Sequence, residues 1–111
     1  MKKIIGIGIL VSMLFVTAVS AEAATLRVIN NTGYTIYYLY VSPAGSSGWG
    51  EDMLGSNVLS SGNDFRVNVQ DGASYDVRLV DEDGDSYTRM NMRPSGGSGN
   101  WYLEFTMSHI D

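Results

Sequence analysis

The sequence predicts an all-β protein, a small antiparallel β-sandwich of six to seven strands preceded by a signal peptide. Apolar and polar residues alternate with a period of two through much of residues 24–111, which is typical of strands that bury one face. No stretch of useful length has the period of an amphipathic helix. Clusters of glycine, serine, asparagine and aspartate separate the alternating stretches, as turns do in such a sandwich.

Six stretches are predicted strands because β-branched and other apolar residues alternate in them with polar ones, or because β-formers fill them almost completely. In chain order they cover residues 26–28, 35–41, 65–69, 75–79, 89–93 and 102–105. A seventh short strand at residues 57–59 stays open as an alternative. The sequence contains no internal repeat and no sign of a second domain, so residues 24–111 are expected to form a single domain.

The fourth and fifth stretches are expected to form a hairpin. Asp83 and Gly84 would occupy its two-residue turn, because Asp-Gly is a preferred pair at that position. Counting outward from this turn fixes the register, and a slip of one residue would mix the two faces. The expected pairs are Tyr75 with Met92, Val77 with Met90, Leu79 with Thr88, Val80 with Tyr87, and Arg78 with Arg89.

Residues 1–23 have the organisation of a cleaved signal peptide. Lys2 and Lys3 precede an apolar run at residues 4–19, and Ala21-Glu22-Ala23 fits the small-x-small cleavage rule. We expect cleavage after Ala23, with cleavage after Ala21 as the alternative. A permanent membrane anchor is disfavoured because the run is shorter than the about 20 apolar residues that a span needs. The remaining chain is therefore expected to be exported, to the periplasm or the extracellular space, without a membrane span.

Composition excludes several functional classes. The chain has no cysteine, so it forms no disulfide framework and no thiolate zinc site. Its formal net charge of −5 makes a nucleic-acid partner unexpected, because phosphate binding needs a basic patch. Catalysis has little support, since His109 is the only imidazole and no nucleophilic-serine motif is present. We therefore expect a protein that is not an enzyme.

Three segments carry a family resemblance. They are Asn30-Asn31-Thr32-Gly33-Tyr34 continuing to Leu39-Tyr40-Val41-Ser42-Pro43, then Trp49-Gly50-Glu51-Asp52-Met53-Leu54-Gly55, and then Val58-Leu59-Ser60-Ser61-Gly62. Together they resemble an uncharacterised family of small exported bacterial domains over most of residues 26–92. The resemblance implies export and a β-rich fold. It implies no activity, and no functional residue is carried over from it.

The densest charge cluster is a candidate calcium site. Carboxylate oxygens suit this hard cation, but the cluster is not an EF-hand loop, because Ser86 and Met92 replace its glycine and its bidentate glutamate. The alternative is a solvated turn whose charges discourage association at a sheet edge. In a meander, the loop at residues 43–63 would share an end with this turn, provided that the loop contains no strand that spans the sheet. The candidate metal ligands are Asp81, Asp83 and Asp85, with Glu51 or Asp52 from that loop.

Arg78 and Arg89 would lie opposite each other in the expected hairpin, which is unfavourable for like charges. Two kinds of compensation stay open. One is supplied by the neighbouring carboxylates of Asp76 and Glu104, and the other by a bound anionic ligand. Both arginines are therefore candidate ligand-binding residues.

Tyr38 and Tyr40 are expected to point outward, since Tyr37, Leu39 and Val41 would share the core face of the same strand. Trp49 or Tyr87 is expected nearby. An outward aromatic strip can stack on sugars or bind a partner. The alternative is that the loop at residues 43–63 covers it. The candidate ligand-binding residues are Tyr38, Tyr40, Trp49, Arg78 and Arg89.

Together these features predict an exported, non-catalytic binding or structural module of the cell envelope. Calcium is the candidate cofactor, and a glycan or an envelope protein is the candidate partner. Two alternatives stay open. One is a small hydrolase that cleaves polysaccharide with paired carboxylates. The other is a surface subunit that associates with itself. The oligomeric state is not predicted.

Overall fold

The computed structural model describes residues 23–93 and 99–111. Residues 1–22 of the expected signal peptide lie outside them. Within the described residues, no helix has the length and apolarity to cross a membrane. The described elements are β1 (Ala23–Asn31), β2 (Ile36–Pro43), β3 (Asp64–Gln70), β4 (Tyr75–Asp81), β5 (Ser86–Met92), β6 (Asn100–Thr106) and a short 3-10 helix (Met107–His109).

The six strands form two three-stranded sheets, which confirms the predicted β-sandwich. The first sheet has the order β3-β1-β6 and the second has the order β2-β4-β5. Three of the four strand pairs are antiparallel. The pair of β1 and β6 is parallel, with Thr25 opposite Asn100. A parallel pair needs a long connection, and here the whole of β2 to β5 lies between the two strands in sequence.

One hydrophobic core lies between the sheets. The first sheet contributes Val28 and Phe105, and the second contributes Leu39 and Leu79, all of them fully buried. Leu59 adds to this core from the loop before β3, where it forms an isolated bridge with Ile36. The alternative seventh strand at residues 57–59 is therefore present only as this isolated bridge.

The β4–β5 turn has three residues, so the expected hairpin register is wrong. The backbone N–H of Asp81 donates to the carbonyl of Asp85 at 2.9 Å, and Gly84 has a φ of +86°. A three-residue loop with a left-handed glycine is the next most common hairpin after the two-residue one. Along the strands it shifts the pairing by one residue, and the observed pairs are Val77 with Arg89, Arg78 with Thr88, Leu79 with Tyr87, and Val80 with Ser86.

A second irregularity returns the strands to the expected pairing at Tyr75 and Met92. Between Tyr75 and Val77 the register shifts again, and Asn91 has a φ of +59°. In the part of β5 that lies between the two shifts, each side chain faces the side of the sheet opposite to the expected one. Tyr87 is fully buried in the core, and Met90, which was expected there, is 58% exposed.

β2 carries a bulge near its start. Ile36 pairs with Asp81 and Tyr38 pairs with Val80, so Tyr37 is the extra residue on this strand. The bulge turns Tyr37 to solvent, where it is 45% exposed, although the sequence pattern placed it in the core. Leu39 faces the core as expected.

Candidate functional site

Three aromatic side chains form a continuous strip on the outer face of the second sheet. Tyr38 and Tyr40 lie two residues apart on β2, and their rings are stacked at 6.4 Å with an interplanar angle of 7°. Trp49, from the loop that follows β2, lies 6.4 Å from Tyr40 at an angle of 47°. We call Tyr38, Tyr40 and Trp49 the aromatic strip. Tyr38 is 45% exposed, so the loop does not cover this end of it.

Arg78 joins the strip, and Arg89 does not. Arg78 pairs with Tyr40 across the sheet, and its guanidinium carbon lies 5.7 Å from the centre of the Trp49 ring. Arg89 is paired with the buried Val77 on β4, so it lies on the core face. There it donates a hydrogen bond to the carbonyl of Glu104 at 3.1 Å. The expected Arg78–Arg89 pair is therefore wrong, and these two like charges need no compensation.

A polar cleft of about 170 Å³ adjoins the strip. Its floor contains Ser42 and Asp76, which are direct cross-strand partners on β2 and β4 and are each only 6% exposed. Trp49 belongs both to the cleft and to the strip, so the two surfaces are continuous. The other lining residues are Ser46, Ser47, Gly48 and Met90.

The carboxylate of Asp76 accepts backbone hydrogen bonds from two segments beside the cleft. One carboxylate oxygen accepts a hydrogen bond from the backbone N–H of Asn91 at 2.8 Å, at the irregularity in β5. The other accepts from the N–H of Gly45 at 3.3 Å, at the start of the loop. From the sequence, Asp76 was expected only as a partner for an arginine, and Ser42 was not expected to take part in a site. A polar side chain at residue 42, on the strand face of Tyr38 and Tyr40, was the available signal.

The acidic turn has the geometry of a candidate metal site. Carboxylate oxygens of Asp81, Asp83 and Asp85 all lie within 4.8 Å of one another, so these three side chains could hold a metal ion. Asp81 is only 2% exposed, and one of its oxygens accepts from the N–H groups of Asp83 and Asp85 at 2.9 and 3.0 Å. Its other oxygen accepts from the Tyr87 hydroxyl at 2.8 Å.

Glu51 and Asp52 are not part of this acidic group. The loop runs back along the edge of β2, because the N–H of Met53 donates to the carbonyl of Leu39 at 2.7 Å. One carboxylate oxygen of Asp52 accepts from the N–H groups of Leu39 and Leu54 at 2.9 and 3.0 Å. Asp52 therefore fastens the loop to β2. The expectation of a shared end required that the loop not span the sheet, and that condition is not met.

Tyr87 stays a neutral hydrogen-bond donor to Asp81. Burial raises the pKa of its hydroxyl well above the ordinary value of 10.0, and the hydrogen bond to Asp81 raises the pKa further. A neutral Tyr87 can satisfy the buried carboxylate oxygen without adding a second negative charge.

Comparisons of the chain with known protein families, with curated proteins and with solved structures give no match. The resemblance to a family of small exported domains stays a prediction.

Proposed function

We propose that the protein is an exported, non-catalytic module that binds carbohydrate chains of the cell envelope along the aromatic strip. The observation that carries this proposal is the continuous line of Tyr38, Tyr40 and Trp49 on one sheet face, next to a polar cleft. A sugar ring has an apolar face of C–H groups and a rim of hydroxyls. It can therefore stack on amphipathic aromatic side chains while its hydroxyls bond to polar neighbours.

Two observations favour binding over hydrolysis. Glycoside cleavage ordinarily uses two carboxyl groups about 5–9.5 Å apart. Asp76 is the one carboxylate that lines the polar cleft, and a second cavity next to Trp101 and Leu103 is lined by none within the described residues. In addition, His109 serves the backbone, because its Nδ1 accepts a hydrogen bond from the N–H of Thr106 at 3.0 Å.

Self-association through the second sheet has less support, because residues of the same chain bond to part of each of its outer edges. Leu39 and Ile36 on β2 bond to the loop before β3. On β5, the N–H of Asp111 donates to the carbonyl of Ser86 at 2.8 Å, and the Asp111 carboxylate accepts from the N–H of Thr88. Such contacts discourage pairing of β2 or β5 with a second copy, whereas the outer edges of the first sheet lie on β3 and β6.

The proposal is tested on a glycan array with wild-type protein, Tyr38→Ala and the control Tyr102→Ala. Tyr102 is 68% exposed and lies on β6, away from the strip. We expect wild type to bind neutral glycans, and Tyr38→Ala to weaken affinity about threefold to tenfold through loss of one stacking contact. Tyr102→Ala should bind like wild type. Absence of glycan binding by wild type, or equal binding by all three proteins, would overturn the proposal.

We further propose that Ca²⁺ binds at Asp81, Asp83 and Asp85. The proximity of their oxygens supports this, and oxygen ligands suit the ion. Asp81 already accepts three hydrogen bonds, so Asp83 and Asp85 would supply most of the ligand atoms. Binding to the folded state alone would stabilise the protein by about 2.7 kcal/mol when free ion is at 100 times its dissociation constant.

Melting curves in millimolar calcium and in chelator test the calcium proposal. We expect calcium to raise the wild-type midpoint by several degrees, since about 1 kcal/mol is worth about 4–8 °C in a domain of this size. Asp83→Asn should lose this shift, whereas Glu82→Gln, in the same turn but outside the acidic group, should keep it. Coincident wild-type curves would mean that the acidic residues form only a solvated turn.

Export rests on the sequence pattern of residues 1–23. A cut after Ala23 would leave Ala24, which is 4% exposed in the core, as the first residue of β1. Intact mass of secreted protein should show the loss of residues 1–23. Full-length protein in a membrane fraction would contradict export.

A further inference from the structure

The floor of the cleft is more polar than the packing of a sheet requires. Ser42 and Asp76 face each other across β2 and β4, and both are more than nine-tenths buried. Side chains buried this deeply are usually apolar or fully hydrogen-bonded. Within the described residues the Ser42 hydroxyl makes no hydrogen bond, although it lines the cleft. The Ser42 oxygen is not among the buried polar atoms that lack a partner, so it opens into the cleft, where it can bond to water or to a polar ligand.

The hydrogen-bonding capacity of this floor fits adjacent hydroxyl groups. A carboxylate has about four lone-pair sites, and Asp76 uses one on each oxygen for the N–H groups of Asn91 and Gly45. Acceptor sites therefore remain on both oxygens. The Ser42 hydroxyl can donate one hydrogen bond and accept others. A ligand with neighbouring hydroxyls, which both donate and accept, satisfies the carboxylate and the serine together.

The charges around the cleft and its volume further limit the kinds of ligand that it can hold. The carboxylate of Asp76 disfavours an anion in the cleft, and Arg78, which lies against the Trp49 ring, disfavours a cation beside it. The volume of about 170 Å³ is below the about 300–1,000 Å³ of ordinary small-molecule sites, so it suits one ring rather than a whole oligosaccharide. These limits leave a neutral, hydroxyl-rich unit.

We propose that the cleft holds the terminal sugar of a neutral glycan, with vicinal hydroxyls bonded to Asp76 and Ser42 and the following units along the aromatic strip. This assignment rests on the carbohydrate-binding function proposed above. Trp49 connects the two surfaces, because it lines the cleft and lies 6.4 Å from Tyr40. The protein would then recognise chain ends rather than the middle of a polymer.

The test is competition by free monosaccharides. Glucose, galactose, mannose and N-acetylglucosamine, each at millimolar concentration, are added to wild-type protein on the array of neutral glycans. We expect at least one of them to displace the protein. Ser42→Ala should lower affinity for that sugar about threefold to tenfold, the effect of one hydrogen bond. Its melting temperature should not change, because the hydroxyl has no partner among the described residues. Ser60→Ala, an exposed serine outside the cleft lining, is the matched control.

The outcomes separate this assignment from the function on which it rests. In one outcome, Tyr38→Ala weakens glycan binding, but neither the four free sugars nor Ser42→Ala changes it. This outcome would overturn the cleft assignment and leave the aromatic strip as the binding surface. Preference for anionic glycans, or displacement by a quaternary ammonium compound, would also overturn it. If wild type binds no glycan, both proposals fail.

Discussion

Asp81 shows how one buried carboxylate can organise a turn. It accepts hydrogen bonds from two backbone N–H groups of the turn and from the hydroxyl of Tyr87, which is fully buried. A buried carboxylate is costly unless such donors satisfy it. The residue that looked from sequence like a metal ligand is therefore first a structural residue, and only Asp83 and Asp85 are exposed.

Removing the Tyr87 hydroxyl should destabilise the fold. Tyr87→Phe keeps the ring in the core but leaves one oxygen of Asp81 without its donor, which typically costs about 1–3 kcal/mol. Urea denaturation of wild type and Tyr87→Phe measures the difference in the free energy of unfolding. Tyr102→Phe, at an exposed position of β6, should be neutral. A Tyr87→Phe variant as stable as wild type would contradict the role given to the Asp81–Tyr87 bond.

The raised pKa of Tyr87 predicts a loss of stability at alkaline pH. Its hydroxyl stays protonated in the folded state above its ordinary value of 10.0, whereas the unfolded chain loses the proton there. The contribution of the protonated Tyr87 hydroxyl to the free energy of unfolding is therefore complete below about pH 10. It declines as the pH rises toward the pKa of Tyr87 in the folded state, by up to about 1.4 kcal/mol per pH unit. Denaturation curves measured at a series of alkaline pH values should show that the free energy of unfolding falls less steeply with pH in Tyr87→Phe than in wild type. Equal slopes in the two proteins would contradict this assignment.

Among the elements, the β4–β5 hairpin depends on its left-handed glycine. Gly84 has a φ of +86°, where a β-carbon is unfavourable by about 1–2 kcal/mol. Gly84→Ala should lower the free energy of unfolding by about this amount, as measured by urea denaturation. Gly48 is the matched control, because its φ lies outside this region and an added β-carbon would meet nothing within 4 Å. A Gly84→Ala change no larger than that of Gly48→Ala would argue against the three-residue turn.

The same elements show what could be predicted from sequence. The alternation of residues 65–69 and 102–105 was enough to predict β3 and β6, because a period of two survives any choice of partner strand. The length of the β4–β5 turn could not be predicted from the alternation of residues. Asp83-Gly84 fits a two-residue or a three-residue loop, and the choice depends on Asp81 and on burial of Tyr87, which are tertiary effects. Asn91 was the local signal for the second irregularity, since asparagine tolerates a positive φ.

The candidate site was predictable to a similar extent. Tyr38 and Tyr40 could be placed outward because their neighbour Leu39 had to face the core. Trp49 could only be named as a nearby residue, because its position depends on how the loop after β2 is fastened. That fastening is by Asp52, through a contact with the backbone of Leu39 that no sequence period reports. The cleft could not be foreseen for the same reason.

At the scale of the whole molecule, the two sheets share one core and should unfold together. Leu103 belongs to β6 of the first sheet and Leu79 to β4 of the second, and both are in the same buried cluster. Leu103→Ala and Leu79→Ala should each lower the stability by about 2–5 kcal/mol, by removing buried methyl groups and leaving a cavity. Far-ultraviolet dichroism and tryptophan fluorescence should report one coincident transition in each variant. Separate transitions would show that the sheets are independent units.

The central claim, that the outer face of the second sheet binds a neutral glycan, is tested most directly by nuclear magnetic resonance. The best neutral glycan from the array is titrated into isotope-labelled protein while the signals of its two tryptophan side chains are followed. Trp49 lies in the aromatic strip, and Trp101 lies on β6 of the other sheet. We predict saturable shifts of the Trp49 indole and of the Tyr38 and Tyr40 amides, with Trp101 unchanged. Shifts confined to Trp101 and its neighbours, or no shifts at all, would contradict the account.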